Sequence, residues 1–132
     1  MPLLATVDAT VTDFDEVFDR FKSENEGIKK ILLFLADKDP TTNESWCPDC
    51  VVSEPVIYKK LEDSSADVVL LRAFVGDRAT WRTHTHPFRN DPDFKLTGVP
   101  TLIRWENDKI IARLEDYQAC VEKKIDGLLA TD

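Results

Sequence analysis

The residues best suited to chemistry are two cysteines separated by two positions, in the segment Trp46-Cys47-Pro48-Asp49-Cys50. Residues three apart on a helix are neighbours, so the two thiols are expected to lie close together. The free N–H groups and the dipole at a helix start stabilise a thiolate and lower the pKa of a cysteine there. The spacing therefore predicts a redox pair in which Cys47 is the nucleophile and Cys50 resolves the mixed disulfide.

The residues around the two cysteines adjust this chemistry. Pro48 suits the first turn of a helix, because its nitrogen needs no hydrogen-bond partner there. Asp49 brings a negative charge next to the thiols, so it is expected to raise the pKa of Cys47 or to serve as a nearby acid or base. Trp46 is expected to be a partly buried indole beside the nucleophile. We expect a reductant rather than a strong oxidant, with the motif alone leaving the direction of electron flow open.

Zinc binding and inert structural cysteines are the alternatives to redox chemistry. A C-x-x-C pair is also half of a tetrahedral zinc site, which His84 and His86 would complete. The flanking Trp and Pro and the tight His-x-His spacing argue against that site, and we expect no bound metal. Cys120 falls on an apolar stripe and is expected to be a small buried hydrophobe, with a regulatory thiol as the alternative.

Length and charge restrict the class of protein. A chain of 132 residues is long enough to bury a core as one domain, predicted here over residues 1–132. The net charge of -8 argues against nucleic acid or an anionic membrane surface as a partner, because both are bound by neutralising phosphates. We find no basic, apolar leader segment and no run of about 20 apolar residues. We therefore expect a cytoplasmic protein, monomeric and without a membrane anchor.

Hydrophobic periodicity predicts an α/β protein with the element order β-α-β-α-β, a connector, and then β-β-α. Such alternation implies a parallel central sheet with helices on both faces and an antiparallel edge. The predicted strands are residues 3–7, 28–36, 68–75, 101–105 and 109–114, and the predicted helices are residues 14–27, 47–63, 87–94 and 117–128.

At this point the chain resembles the thioredoxin superfamily. Pro55 follows the second cysteine by five residues, like the proline in the active-site helix of that fold. Thr97-Gly98-Val99-Pro100-Thr101 is similar to the superfamily's cis-proline loop. The WCPDC form narrows the resemblance to the cytosolic thioredoxin-related proteins also called thioredoxin domain-containing protein seventeen. The resemblance implies the thioredoxin fold, a central mixed sheet of four to five strands flanked by helices on both faces.

The resemblance also implies an activity and a set of substrate contacts. It implies a disulfide reductase with no bound cofactor, whose redox-active Cys47–Cys50 pair receives electrons from NADPH through thioredoxin reductase. Its substrates would be small disulfides such as cystine and selected proteins, a narrower range than that of thioredoxin, with roles in peroxide removal and redox signalling. Trp46, Pro48, Val99 and Pro100 would contact the substrate. A non-enzymatic thioredoxin-fold binding module or redox sensor is the alternative.

One residue departs from the ordinary thioredoxin pattern. The buried aspartate of thioredoxin, which is thought to move the proton of the resolving cysteine, would align near Phe34, and a phenyl ring cannot exchange a proton. Asp49 is one candidate to replace that acid.

Overall fold

The central feature of the fold is a five-stranded sheet in the order β1-β3-β2-β4-β5, seen in a computed structural model that describes residues 2–130. Met1, Thr131 and Asp132, at the ends of the predicted domain, lie outside the described residues. The strands are β1 (Leu3–Ala9), β2 (Lys29–Leu35), β3 (Val68–Phe74), β4 (Thr101–Glu106) and β5 (Lys109–Glu115). The helices are α1 (Phe14–Glu24), α2 (Pro48–Glu62), α3 (Arg78–Arg82), α4 (Pro87–Asn90) and α5 (Glu122–Leu129), with a 3-10 helix at Asp116–Cys120.

The sheet is mixed, with β2 at its centre. Strands β1 and β2 run parallel to β3 on its two sides, while β4 is antiparallel to both β2 and β5. Leu32 of β2 pairs with Leu71 of β3 on one side and with Ile103 of β4 on the other. The predicted α/β class, with a parallel centre, an antiparallel edge and flanking helices, is confirmed.

The core is built on the continuous apolar run of β2. Its residues from Ile31 to Leu35 are fully buried, as expected for a strand covered on both faces. Phe14 and Phe18 of α1 point into the same core, and the Phe14 ring centroid lies 5.8 Å from that of Phe34 and 5.0 Å from that of Phe88. Aromatic rings at these separations stabilise one another beyond the burial of their area. Phe34 therefore belongs to an aromatic cluster.

The antiparallel strands β4 and β5 form a hairpin, with a two-residue turn at Asn107 and Asp108. Both turn residues have positive φ, 51° and 60°. This is the geometry of the type I′ turn, whose twist matches that of the two strands, and Asn and Asp tolerate it better than most residues.

The prediction of a last helix over residues 117–128 is wrong for its first turn. Residues 116–120 form a 3-10 helix, and Tyr117 is 66% exposed while Cys120 is half-buried. The reason is local: the Glu115 backbone N–H donates to the Gln118 side chain, and Asp116 takes a positive φ of 54°. The side chains of Tyr117 and Cys120 then lie on one outward face, because a 3-10 helix repeats every three residues. Cys120 is thus not the buried residue that the stripe predicted.

The connector after β3 is also more structured than predicted. Asp77 caps α3, because its side chain accepts a hydrogen bond from the Thr80 N–H at 2.8 Å. The second connector helix ends at Asn90, four residues earlier than predicted. Among residues 2–130, no helix combines the length and the apolar character needed to cross a bilayer.

Arg104 of β4 fastens the end of α5 to the sheet. Its guanidinium is almost fully buried and pairs with Glu106 at 2.9 and 2.6 Å. It also donates to the backbone carbonyls of Leu128 and Ala130, beside the end of α5. A cation is favoured there because the helix dipole is negative at that end.

Candidate active site

The candidate site lies where β2 and β3 end at the same edge of the sheet. Two hydrogen bonds join the segments that follow these strands. The Asp37 N–H donates to the Gly76 carbonyl at 3.2 Å, and the Gly76 N–H donates to the Asp37 carboxylate at 3.0 Å. The loop that follows folds back through a bridge between Lys38 and Ser45. The end of this loop delivers Trp46 and the first cysteine to the start of α2.

Trp46 is held by contacts on both its ring and its backbone. The indole Nε1 donates to the Gly76 carbonyl at 3.0 Å. Arg78 lies over the indole ring, 5.2 Å from its centroid, and donates to the Trp46 carbonyl at 2.7 Å. A guanidinium over an aromatic face is attracted by the ring's quadrupole, so Arg78 fixes the segment that precedes the nucleophile. Trp46 is half-buried, as predicted.

Cys47 is the residue immediately before the first turn of α2. Its backbone is extended, and its carbonyl accepts hydrogen bonds from the N–H groups of Cys50 at 3.0 Å and Val51 at 3.2 Å. Pro48 occupies the first helical turn, and the helix continues through Pro55. Cys47 is 8% exposed and Cys50 is fully buried, so Cys47 is the more accessible residue of the pair. Both are free thiols.

The surroundings of Cys47 favour its ionised form. A hydrogen bond from the Cys50 thiol is the largest influence, and it lowers the pKa of Cys47 to about 6 against the opposing effect of burial. The backbone N–H groups of Cys50 and Asp49 lower this pKa further, as expected at a helix start. The negative charge of Asp49 raises the pKa of Cys47, which is the predicted direction. Of the five influences on this pKa, the Asp49 charge is the smallest.

Cys50 has the opposite environment. Its hydrogen bond to Cys47 and its burial raise the pKa of Cys50 well above the ordinary value of a thiol. The Ala36 backbone N–H and the Ser45 hydroxyl oppose this by donating to its sulfur. The pair is therefore divided into an ionisable outer thiol and a protonated inner thiol that shares its hydrogen with the outer sulfur. In such a pair the outer sulfur can attack a substrate disulfide, and the inner sulfur can then attack the outer one to form a disulfide between the two cysteines.

The predicted cis-proline loop lies against the outer thiol. The Val99–Pro100 peptide bond is cis, and both residues are buried. The Cys47 thiol donates to the Val99 carbonyl oxygen at a sulfur–oxygen distance of 3.4 Å. The fold thus brings the cysteine motif and this loop, 52 residues apart in sequence, into direct contact.

Asp116 and Ser45 also belong to the site, although sequence analysis assigned them no role. The Asp116 N–H donates to the Pro100 carbonyl at 2.8 Å, and its carboxylate covers Gly98. Burial, followed by the charges of Glu115 and Asp49, raises the pKa of Asp116. The Ser45 hydroxyl accepts a hydrogen bond from the Cys47 N–H at 3.2 Å. A polar residue just before WCPDC was the available signal for Ser45; for Asp116 there was none.

The two histidines of the zinc alternative lie in different settings. His86 is buried, and its ring nitrogens bond the Val75 carbonyl at 2.8 Å and the Phe88 N–H at 3.0 Å. His84 is exposed. In the part of the chain that the structure describes, no group of three or more acidic, His or Cys side chains has the arrangement of a metal site. Both ring nitrogens of His86 are thus engaged in holding the connector together.

The sheet order, the cysteine pair at the start of α2 and the cis-proline loop define a protein of the thioredoxin fold. A solved structure of reduced thioredoxin from Schistosoma mansoni aligns with 96% of this chain and 98% of its own, at a TM-score of 0.54 and 16% identity. At that identity the likeness concerns the fold alone.

Sequence comparison identifies the particular family. The family model for the thioredoxin domain of thioredoxin domain-containing protein 17-like proteins matches residues 10–131, and the chain belongs to this family. The thioredoxin-like protein Clot of Oryza sativa subsp. japonica is 55% identical, over 93% of this chain and 94% of its own length. Thioredoxin domain-containing protein 17 of Mus musculus is 32% identical, over 95% and 96%.

Proposed function

We propose that this protein is a thiol–disulfide oxidoreductase that works as a disulfide reductase in the cytoplasm. The observation that carries the proposal is the division of the cysteine pair: Cys47 has a pKa of about 6, and the buried Cys50 thiol is hydrogen-bonded to it. Near neutral pH the outer sulfur is then mostly a thiolate, which is the nucleophilic form. Membership of a thioredoxin-like family supports the same chemistry.

The proposed reaction has two exchange steps. The Cys47 thiolate attacks one sulfur of the substrate disulfide, the S–S bond breaks, and the first substrate thiolate leaves with the bonding electron pair. Cys50 then loses its proton and attacks the Cys47 sulfur, which releases the second substrate thiolate and leaves a Cys47–Cys50 disulfide. The substrate gains two electrons and the enzyme loses two.

The substrate contacts are assigned to the residues around Cys47. The Val99 backbone would pair with an extended substrate chain as an added strand, a mode of recognition that selects little for sequence. Trp46, Pro48 and Pro100 would form the walls next to the reacting sulfur. Asp49 adjusts the pKa of Cys47 in this proposal, and a direct acid–base role for Asp49 is not needed.

We propose the electron donor and the substrates from the family resemblance. We assign recharging of the oxidised pair to NADPH through thioredoxin reductase, and the substrates to small disulfides such as cystine and to selected proteins. Peroxide removal and redox signalling would follow when a peroxidase or a signalling protein is among those substrates. The same assay tests the peroxide role, since addition of a candidate peroxidase and its peroxide would then increase NADPH consumption.

The decisive experiment is cystine reduction in the presence of NADPH and thioredoxin reductase, followed at 340 nm. We expect turnover by the wild type, none by Cys47→Ser, and normal turnover by Cys120→Ser as the matched control. Cys50→Ser should trap a mixed disulfide at Cys47, detected by intact mass. A wild type that neither turns over cystine nor forms that mixed disulfide would refute the proposal and favour a non-enzymatic binding module.

A further inference from the structure

Asp116 places a carboxylate at the edge of the proposed substrate site. Its backbone N–H donates to the Pro100 carbonyl at 2.8 Å, and its carboxylate covers Gly98, the residue before Val99. The carboxylate therefore lies directly against the loop on which a substrate chain is proposed to bind. Asp116 is exposed, so a bound substrate can reach it.

Within residues 2–130, this carboxylate has no cation of its own. The neighbouring Glu115 pairs with Arg113 at 2.8 Å, but no lysine, arginine or histidine of the described chain forms an ion pair with Asp116. Burial, and then the negative charges of Glu115 and Asp49, raise the pKa of Asp116. A carboxylate in these surroundings is stabilised by an added positive charge, which a substrate can bring.

The backbone of Asp116 has an unusual conformation. Its φ of 54° is one that residues with a side chain rarely adopt, although Asp tolerates it better than most. Two hydrogen bonds maintain it: the Glu115 N–H donates to the Gln118 side chain at 3.0 Å, and the Asp116 N–H donates to the Pro100 carbonyl. Because departures of this kind are concentrated at functional sites, the placement of Asp116 against the loop points to a role there.

A substrate chain bound along Val99 would carry its neighbouring residues past this carboxylate. Adjacent residues of an extended chain are about 3.3 Å apart. Cys47 and Val99 are joined by a hydrogen bond, so the reacting sulfur of the substrate would lie next to both. A group one or two positions away on the side of Gly98 would then come within reach of Asp116. A lysine, an arginine or the amine of a small disulfide would meet a negative charge there.

We propose, on the basis of the proposed reductase function, that Asp116 is a specificity-determining residue that selects disulfides with a positive charge next to the reacting sulfur. Its carboxylate attracts a cation of the substrate and repels a carboxylate in the same place. It takes no part in the exchange of sulfur bonds, so the two steps at Cys47 and Cys50 are unchanged. The favoured substrates are small disulfides with amino groups and protein disulfides flanked by lysine or arginine.

Three small disulfides of different charge test this role on the full chain. Cystamine carries an ammonium group at each end, hydroxyethyl disulfide is neutral, and dithiodipropionate carries a carboxylate at each end. The reduced protein is mixed with an excess of each near neutral pH, quenched with acid and separated from the disulfide, and its thiols are then counted by alkylation and intact mass. All proteins carry Cys120→Ser, so that only the active-site pair reacts. The rate constant of each variant is divided by that of the reference protein Cys120→Ser, because the intrinsic reactivity of the disulfide cancels in this ratio.

We expect Asp116→Asn to lower the rate with cystamine about threefold, to raise that with dithiodipropionate about threefold and to change that with hydroxyethyl disulfide little. These factors are in keeping with the modest strength of exposed ion pairs. Asparagine has the same shape and also accepts a positive φ, so the loop is retained. Asp108→Asn is the matched control, because Asp108 also has a positive φ, 60°, but lies in the β4–β5 turn at the far end of β4. It should leave the ratio of the cystamine rate to the dithiodipropionate rate within about twofold.

Two outcomes would overturn this role of Asp116. One is that Asp116→Asn changes the rates with all three disulfides by the same factor or not at all, so that the residue does not discriminate by charge. The other is that Asp108→Asn shifts the ratio as much as Asp116→Asn, so that the preference comes from the net charge of the protein. The proposed function fails in a different way, because the reference protein would then react with none of the three and form no Cys47–Cys50 disulfide.

Discussion

The Cys47 thiol and the Val99 carbonyl oxygen form a hydrogen bond at a sulfur–oxygen distance of 3.4 Å. This bond exists only while the thiol keeps its hydrogen. Ionisation of Cys47 therefore produces the nucleophile and at the same time frees the Val99 carbonyl to accept a hydrogen bond from a substrate backbone. The reacting atom and the proposed binding group are activated by a single proton loss.

This relationship leads to a pH profile for Cys47. Alkylation by iodoacetamide requires the thiolate, so its rate should rise with pH through a midpoint near 6, the pKa to which the Cys50 hydrogen bond lowers this thiol. The measurement is the rate of modification of Cys47 by mass spectrometry, in a Cys120→Ser background, between pH 4 and 9 (a range of about two to three units around the midpoint). A midpoint above 8 would contradict the described environment of Cys47.

Replacement of Asp49 by asparagine should lower the pKa of Cys47 further. The Asp49 carboxylate is the weakest of the five influences, and its negative charge opposes ionisation of the neighbouring thiol. The alkylation midpoint should therefore shift to lower pH in Asp49→Asn. Asp63→Asn, at the other end of α2, removes an equal charge far from the site and serves as the control. A shift to higher pH in Asp49→Asn would show that the side chain stabilises the thiolate.

Replacement of Gly98 by alanine should reduce disulfide reduction by about tenfold, since a small displacement of reacting groups costs this much or more. A methyl group at Gly98 would overlap the Asp116 carboxylate. Asp116 would then move, and its hydrogen bond to the Pro100 carbonyl would shift the loop that faces Cys47. The measurement is kcat/KM for cystine.

A second substitution tests the cause of that loss. Asp116→Gly removes the overlapping carboxylate, and glycine accepts the positive φ of 54° at this position. The double variant Gly98→Ala with Asp116→Gly should recover most of the activity. If the double variant is as slow as Gly98→Ala alone, the loss has another origin than the contact with Asp116.

Replacement of Arg104 by methionine should lower the free energy of unfolding by about 2–3 kcal/mol. The change leaves Glu106 and the carbonyls near the end of α5 without their buried donor. This loss lies at or below the bottom of the range of about 3–5 kcal/mol that is usual for a broken buried ion pair, because Glu106 is partly exposed. Urea unfolding of the reduced protein measures the change, and Lys123→Met on the exposed face of α5 should have an effect below about 0.5 kcal/mol. Equal midpoints for the two variants would contradict this role of Arg104.

The sequence predicted well the parts of the fold that depend on a short, continuous pattern. Strand β2 was predictable because its apolar run is unbroken, and the β4–β5 hairpin because two turn-favouring residues stand between two apolar segments. The closing helix was predicted wrongly because apolar spacing cannot reveal that Asp116 adopts a positive φ and that Glu115 and Gln118 close a local turn. Cys120 was predicted to be buried for that reason.

The site residues that lie in one short segment of the sequence could be predicted. The contacts between residues of distant segments could be predicted less well. Trp46, Cys47, Pro48 and Cys50 were identifiable from their order alone, and Val99 and Pro100 from a family resemblance. Their proposed roles remain predictions. The contact of Asp116 with Gly98, and the hydrogen bond of Ser45 with the Cys47 N–H, arise only when the loops are folded, since no residue type or spacing encodes which side chain a loop brings to the site.

The aromatic cluster around Phe34 has a consequence for how this molecule can change over evolutionary time. The cluster fills the interior with Phe14, Phe34, Phe88 and Phe94, whereas the cysteine pair lies at the edge of the sheet, beside the loops that end there. Substitutions that repack the centre can then alter thermal tolerance without altering reactivity. Selection on reactivity can likewise proceed through loop residues with little penalty to folding.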